Sequence, residues 1–219
     1  MRCGLIFLAL FVIFFSSGCA VKINGILLNP SPAPVYHKDK IFLSGGAGFP
    51  IANTEAQIWG FKKDDVDIGL MASWFIQSEK DEDYTNISGF ARKWIKSSGA
   101  ENPWANIYGG IQYSSNWNED YGNYSSVHLE FGVAPGFYRR RFNFAFVIRG
   151  GSGFAFPYEP TKYGFSYGYG SAGLQLVAFP LNNFGLGIEG NHGLGAGGMK
   201  DAVIVVAPPI LRVFVFYRK

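Results

Sequence analysis

The residues with the clearest potential for chemistry are Ser126, His128 and Glu130, which alternate along one short stretch. A serine, a histidine and a carboxylate form a nucleophilic hydrolase site when the histidine takes the serine proton and the acid orients the histidine. At every second position of a strand, however, the three side chains are only neighbours on one wall. A triad needs directed hydrogen bonds between them, so we predict no catalytic residues and no enzyme activity.

Three other motifs also favour structural readings. The glycine-rich stretch 193–198 imitates a phosphate-binding loop, but such loops lie at a helix N-terminus, and residues 202–206 are typical of a strand. The acidic run 79–83 predicts a solvated loop. The triplet Arg139–Arg141 predicts either a polar hairpin tip or a contact with anionic headgroups. No His, Cys or Asp cluster has metal-ligand spacing, so we predict no metal and no other cofactor.

The N-terminus has the features of a secretory signal. Arg2 precedes an unbroken apolar run over residues 4–15, which is too short to span a bilayer as a helix of roughly 20 apolar residues. Residues 16–19, Ser-Ser-Gly-Cys, resemble the lipobox of bacterial lipoproteins, although Ser16 stands where that family usually has Leu. The resemblance implies cleavage between Gly18 and Cys19 and lipidation of Cys19.

Length and composition predict a single domain behind this signal. We expect a signal peptide over residues 1–18, a lipidated Cys19 with an extended tether over 19–38, and one barrel domain over 39–219. The tether is predicted from closely spaced prolines at Pro30, Pro32 and Pro34. A formal net charge of only +3, without a concentrated basic face, argues against a nucleic-acid partner.

Glycine and aromatic residues predict an all-β fold. The chain contains 29 Gly, 21 Phe, 12 Tyr and 5 Trp, and each Gly inside a helix would cost about 1 kcal/mol. Gly alternating with aromatic residues is typical of an antiparallel up-and-down β-barrel. From Lys40 onwards the period is two, which predicts strands near 40–49, 54–63, 66–76, 104–116, 123–138, 142–155, 163–179, 184–196 and 202–217.

The strand count depends on residues 87–96. Their apolar residues recur at a helical spacing, which favours a short amphipathic helix. A strand there would instead bring the count to ten and would place tight turns at one end of the barrel and long loops at the other, as in outer-membrane barrels. We predict about ten strands, with eight strands and a short helix at 87–96 as the alternatives.

Several strands have one apolar face and one polar face. The polar faces contain Gly, Ser, Asn, Gln and Tyr rather than the Lys and Glu of a water-exposed surface, which favours a polar lumen and a lipid-facing exterior. This pattern resembles that of small outer-membrane barrels over residues 40–217. Charges inside a lumen must pair, because an unpaired buried charge is very costly. We therefore predict a luminal charge network of Asp67, Glu130, Arg149, Glu189 and Arg212.

Together these patterns predict a barrel lipoprotein anchored at Cys19 in the outer membrane of a Gram-negative bacterium. The outer membrane is predicted because position 20 is Ala, whereas an acidic residue after the cysteine retains some lipoproteins at the inner membrane. We expect the protein to have a structural role, to make surface contacts or to bind an envelope protein partner. We also expect the barrel to contact outer-membrane lipids. Two alternatives remain: a lipid-tethered soluble barrel whose apolar faces enclose a small apolar ligand, and a lipid-modifying barrel enzyme.

Overall fold

A computed structural model describes residues 31–32, 35–36, 41–49, 52–61, 65–77, 82–117, 124–158, 164–198, 203–206 and 210–218. These residues form eleven strands: β1 Ile41–Phe49, β2 Ala52–Phe61, β3 Val66–Gln77, β4 Glu82–Ile95, β5 Ala105–Trp117, β6 Tyr124–Tyr138, β7 Phe142–Pro157, β8 Phe165–Ala178, β9 Phe184–Gly198, β10 Val203–Val206 and β11 Ile210–Arg218. Within the same ranges, no helix is long and apolar enough to cross a membrane. The predicted signal peptide, Gly18 and Cys19 lie outside the described residues.

The strands form a closed antiparallel barrel. Each strand from β1 to β9 pairs with the next, and β1 closes the sheet by pairing with β11 from Phe42–Arg218 to Phe49–Leu211. Strands β10 and β11 both pair with β9, so together they occupy the tenth strand position. The sequence between them contains Pro208 and Pro209, which have no N–H to donate to a ladder. The prediction of ten strands is confirmed, and the eight-strand alternative is wrong.

The helical alternative at 87–96 is also wrong, because this segment belongs to strand β4. It pairs with β3 from Val66–Lys93 to Gln77–Glu82 and with β5 along its other edge. The misleading apolar spacing has a physical cause: this strand carries large apolar residues on both faces. Ile87 is exposed on the outside, whereas Phe90 and Trp94 are buried inside the barrel.

Strand alternation separates an apolar exterior from a polar interior. Outward side chains such as Leu70, Phe131 and Leu186 are 61%, 63% and 57% exposed. Inward side chains such as Gln112 and Glu130 are fully buried. This arrangement contradicts the alternative of a soluble barrel with an apolar ligand cavity, which needs the apolar faces to point inward.

The two ends of the barrel differ. One end, which we call the turn end, carries the β2–β3, β4–β5, β6–β7 and β8–β9 connections and the outer ends of β1 and β11. The opposite end, the loop end, carries the remaining connections. The short β2–β3, β6–β7 and β8–β9 connections, residues 62–65, 139–141 and 179–183, all lie at the turn end. The β4–β5 connection, residues 96–104, is longer and contains a turn in which Gly99 has a positive φ of 76°.

Inside the barrel, apolar clusters of described residues lie above and below a layer of polar side chains. A cluster at the turn end contains Trp94, Tyr138 and Val147, and a larger one beside it contains Phe42, Trp59 and Phe214. A third cluster nearer the loop end consists of Phe75, Tyr84, Ala155, Tyr167, Tyr169 and Ile210. The polar layer contacts the last two clusters and comprises Glu55, Gln57, Gln112, His128, Glu130, Arg149, Gln175, Glu189 and Arg212.

Candidate functional site

The candidate site is the lumen, where every predicted charged residue lies. Asp67, Glu130, Arg149, Glu189 and Arg212 are all buried on the inward face of their strands. Alternation alone determines this direction, because each is flanked by outward residues of the same strand. The structure arranges them as two ion pairs within the polar layer and one separate carboxylate, Asp67, nearer the turn end.

The first ion pair joins Arg149 of β7 to Glu130 of β6. Arg149 Nη1 lies 3.6 Å from Glu130 Oε2, and Gln112 Nε2 donates to the same oxygen at 2.8 Å. The Tyr169 hydroxyl donates to this oxygen as well, and Arg149 Nε donates to Ser171 Oγ at 2.8 Å. The carboxylate of Glu130 is therefore held by side chains from three other strands.

A glycine makes room for this carboxylate. Gly151 is the residue directly opposite Glu130 in the β6–β7 ladder. A Cβ atom on Gly151 would lie 2.9 Å from the Tyr169 ring and would also collide with the carbonyl oxygen of Leu129. Tyr169 reaches Glu130 because position 151 carries no side chain.

The second ion pair joins Arg212 of β11 to Glu189 of β9. The two residues are directly opposite each other in the ladder, with Arg212 Nη1 3.5 Å from Glu189 Oε1. Gln175 Nε2 donates to Glu189 Oε2 at 3.0 Å, and Ser31 Oγ donates to Glu189 Oε1 at 2.9 Å. The last contact comes from a segment that precedes the barrel.

That segment enters the lumen, and we call its described residues, Ser31, Pro32, Val35 and Tyr36, the plug segment. Gln57 Nε2 donates to the Ser31 carbonyl at 3.3 Å, and Gln175 Nε2 donates to the Pro32 carbonyl at 3.5 Å. Val35 is 1% exposed within the cluster around Trp59. The described part of the predicted 19–38 tether is therefore packed inside the barrel, and the rest lies outside the described residues.

The third charged pair consists of Asp67 and Arg92. Arg92 was not predicted from the sequence. They are directly opposite each other in the β3–β4 ladder, and Arg92 Nε donates to Asp67 Oδ1 at 2.9 Å. Trp94 Nε1 donates to Asp67 Oδ2 at 3.3 Å. The guanidinium carbon lies 4.2 Å from the Trp59 ring centroid and 4.4 Å from that of Trp94. Once residues 82–95 are assigned to a strand, Arg92 shares the inward face with Asn86 and Ser88, which would have been the signal.

The alternating Ser126, His128 and Glu130 do not form a chain of hydrogen bonds with one another in the part of the barrel that the structure describes. His128 Nδ1 lies 3.0 Å from the Tyr167 hydroxyl, and Glu130 is held by Gln112, Tyr169 and Arg149. The His128 Nδ1 atom thus contacts a tyrosine hydroxyl, where a hydrolase triad has a carboxylate that orients the histidine. Among the described residues, no group of three His, Cys, Asp or Glu side chains could hold a metal ion.

A separate polar cluster lies at the turn end. Lys96 Nζ donates to Asp65 Oδ1 at 2.7 Å, and the Tyr36 hydroxyl donates to the same oxygen at 3.1 Å. Partial burial raises the pKa of Asp65, but these two hydrogen bonds outweigh burial and lower it. Partial burial likewise lowers the pKa of Lys96, but its contacts with Asp65 and Tyr36 together outweigh burial and raise it. The cluster connects the plug segment to the β2–β3 and β4–β5 connections.

No protein-family model and no curated protein sequence matches this chain. Among solved structures, it is similar to a bacterial polysaccharide outer membrane secretin with a TM-score of 0.40 and 11% identity, covering 80% of this chain. This chain spans only 57% of that secretin.

Two other similar structures are matched over nearly their full length. The outer membrane protease OmpT of Escherichia coli has a TM-score of 0.41 and 11% identity, covering 88% of this chain and 97% of OmpT. The KdgM porin has a TM-score of 0.39 and 13% identity, covering 81% of this chain and 98% of the porin.

Proposed function

We propose that this protein is a lipoprotein of the Gram-negative outer membrane whose barrel is inserted in the bilayer, with its turn end in the periplasm. Its role is structural, surface contact or binding of an envelope partner, without catalysis. The observation that carries this proposal is the separation of faces: apolar side chains cover the outside, and charged side chains point into a filled lumen.

The exterior supports insertion on energetic grounds. Soluble monomers rarely expose a contiguous apolar patch larger than a few hundred Å², whereas here the apolar outward faces run around the sheet. Each Å² of that surface kept in water costs roughly 25 cal/mol relative to an apolar environment. A bilayer supplies that environment, and the polar lumen then stays away from lipid.

The filled lumen supports a role other than transport. Among the described residues, the plug segment, the aromatic clusters and the polar layer all lie inside the barrel, and a barrel of this strand number has a narrow interior. The absence of triad hydrogen bonds at His128, in the described part of the barrel, supports a non-catalytic role. The lipobox-like residues 16–19 support the lipid anchor.

The decisive experiment separates insertion from lipid anchoring. Residues 20–219 are expressed behind an ordinary secretory signal, without Cys19, and membranes are extracted with carbonate. We expect the protein to stay in the membrane pellet and to change gel mobility on boiling, as a folded membrane barrel does. Release into the soluble fraction would overturn the insertion proposal.

The lipid anchor and the absence of catalysis need their own variants. Cys19→Ser in the full-length chain should abolish incorporation of labelled palmitate while the barrel stays heat-modifiable. Persistent labelling would exclude Cys19 as the lipidated residue. His128→Ala should leave the lipid composition of the membrane unchanged, and a changed composition would favour the lipid-modifying alternative.

A further inference from the structure

A second candidate site lies at the turn end, where the structure has an open cavity of about 380 Å³. It is formed between the β4–β5 connection and the end of β6, and it is lined by residues 100–104 and 136–139. Its volume lies within the range of roughly 300–1,000 Å³ found for small-molecule sites. None of its residues belongs to the luminal charge network, so it requires a separate explanation.

The cavity walls are held in place by hydrogen bonds. Trp104 N donates to the Ile95 carbonyl at 3.0 Å, and Gly136 N donates to the Trp104 carbonyl at 2.8 Å, which fixes the connection against β6. With the Asn102 amide in the orientation that satisfies both its atoms, its nitrogen donates to the Tyr138 carbonyl at 3.2 Å and its oxygen accepts from Arg139 Nη1 at 2.6 Å. Arg139 is therefore positioned along the cavity wall.

The cavity combines opposite charges with exposed aromatic rings. Trp104 and Phe137 are 52% and 48% exposed, and the Arg139 guanidinium carbon lies 4.7 Å from the Phe137 ring centroid. Glu101, an exposed acid, belongs to the same lining. Exposed Trp and Phe beside charged groups at the end of a barrel match the boundary between headgroups and acyl chains.

We propose that this cavity binds the headgroup of a zwitterionic aminophospholipid from the periplasmic leaflet. Arg139 binds the phosphate through charge-assisted hydrogen bonds, Glu101 accepts from the primary ammonium, and Trp104 and Phe137 contact the first segments of the acyl chains. A zwitterionic headgroup offers an opposite charge to each of these two side chains. This inference rests on the proposed function, because it needs the turn end to face the periplasmic leaflet.

The test uses the full-length protein, folded in detergent micelles, with native mass spectrometry to count bound lipid. The probes are phosphatidylethanolamine and phosphatidylglycerol, which share the phosphate but differ in the ammonium. The variants are Arg139→Gln and Glu101→Gln. The matched control is Arg140→Gln, which removes a neighbouring exposed charge that does not line the cavity.

We expect the wild-type chain to bind one phosphatidylethanolamine in preference to phosphatidylglycerol. Arg139→Gln should weaken that binding by about tenfold, the effect of losing one charge-assisted contact. Glu101→Gln should abolish the preference between the two lipids, and Arg140→Gln should leave binding and preference unchanged.

Three results would overturn the inference: no preference in the wild-type chain, equal losses in Arg139→Gln and Arg140→Gln, or an unchanged preference in Glu101→Gln. A protein that keeps its heat-modifiable mobility but shows any of these results contradicts only the lipid site. A protein that carbonate releases from membranes contradicts the proposed function itself.

Discussion

The lumen contains two charged regions that solve the same problem differently. Near the turn end, Asp67 and Arg92 form a compact pair on neighbouring strands, completed by the Trp94 N–H and two indole rings. In the polar layer, the carboxylates of Glu130 and Glu189 each form an ion pair and accept hydrogen bonds from other strands. Glu189 also accepts a hydrogen bond from Ser31 of the plug segment. Glu130 Oε1 and Glu55 Oε2 have no hydrogen-bond partner there among the described residues.

This difference bears on how each region responds to the loss of one side chain. Removing one member of a compact buried pair leaves the other charge without compensation, which costs about 3–5 kcal/mol. In the polar layer, Gln112 and Tyr169 still donate to Glu130 when its cation is lost, so we expect a smaller cost there. The two regions therefore allow the cost of losing one charged side chain to be compared between an isolated pair and a network, in the same protein and at similar burial.

The largest effect is expected from Arg92→Ala. It leaves Asp67 buried without its cation and removes the group between Trp59 and Trp94, so the free energy of unfolding should fall by about 3–5 kcal/mol. The measurement is the guanidinium chloride concentration at the unfolding midpoint of the barrel reconstituted in lipid vesicles. The double variant Asp67→Asn, Arg92→Met should recover much of the loss, and a double variant no better than Arg92→Ala would contradict the pairing.

A smaller effect is expected from Arg149→Ala, because Gln112 and Tyr169 continue to donate to Glu130. We expect a loss of about 2 kcal/mol in the free energy of unfolding, measured in the same vesicles. The control is Ser98→Ala in the exposed β4–β5 connection. Equal unfolding midpoints for Arg149→Ala and Ser98→Ala would count against the Glu130–Arg149 pair.

Val35→Ala tests whether the plug segment contributes to the stability of the barrel. Val35 is buried in the cluster around Trp59, so losing two methyl groups should cost about 1–2 kcal/mol. The matched control is Val213→Ala, which changes an outward-facing valine that is 52% exposed. The measurement is made in detergent micelles, where the outside of the barrel has the same apolar surroundings in both variants. A larger loss in the free energy of unfolding for Val213→Ala than for Val35→Ala would place the plug segment outside the lumen.

The smallest effect is expected from the Asp65–Lys96 pair, which is partly exposed and contributes about 0.5 kcal/mol after screening. The folded pKa of Asp65 is lowered, so its contribution is present above its unfolded value of about 3.9 and is lost as pH falls through the folded pKa. Lys96 has a raised pKa, so its contribution disappears only as pH rises past about 10.4.

The unfolding midpoints of the wild-type chain and Lys96→Met, followed against pH, measure this contribution. The two midpoints should differ most between about pH 5 and 9 and should converge at a pH below about 3.9, where Asp65 becomes protonated in the folded state as well. A difference that stays constant down to that pH would assign the effect of Lys96 to its cation–π contact with Tyr36, at 5.0 Å, rather than to Asp65.

The barrel and the direction of its faces could be predicted from the sequence, because a period of two maps directly onto alternate sides of a strand. The failures have a common cause. Arg92 was missed because β4 places apolar residues on both faces, so its alternation in hydrophobicity is weak. The plug segment was missed because its contacts join residues far apart in sequence, as Ser31 and Glu189 do, and an irregular segment has no period that announces them.

The seam between β1 and β11 joins the first and the last strand of the described chain. The plug segment directly precedes the first strand, yet its partners Gln175 and Glu189 belong to β8 and β9, near the end of the chain. Its contacts with these two residues can form only once β8 and β9 are present, late in the chain and next to the strand that closes the seam from Phe42–Arg218 to Phe49–Leu211. Pairings between such distant residues form slowly, so maturation should be an all-or-none event limited by arrival of the last strand. Until then, two unpaired edges remain open to capture by other chains.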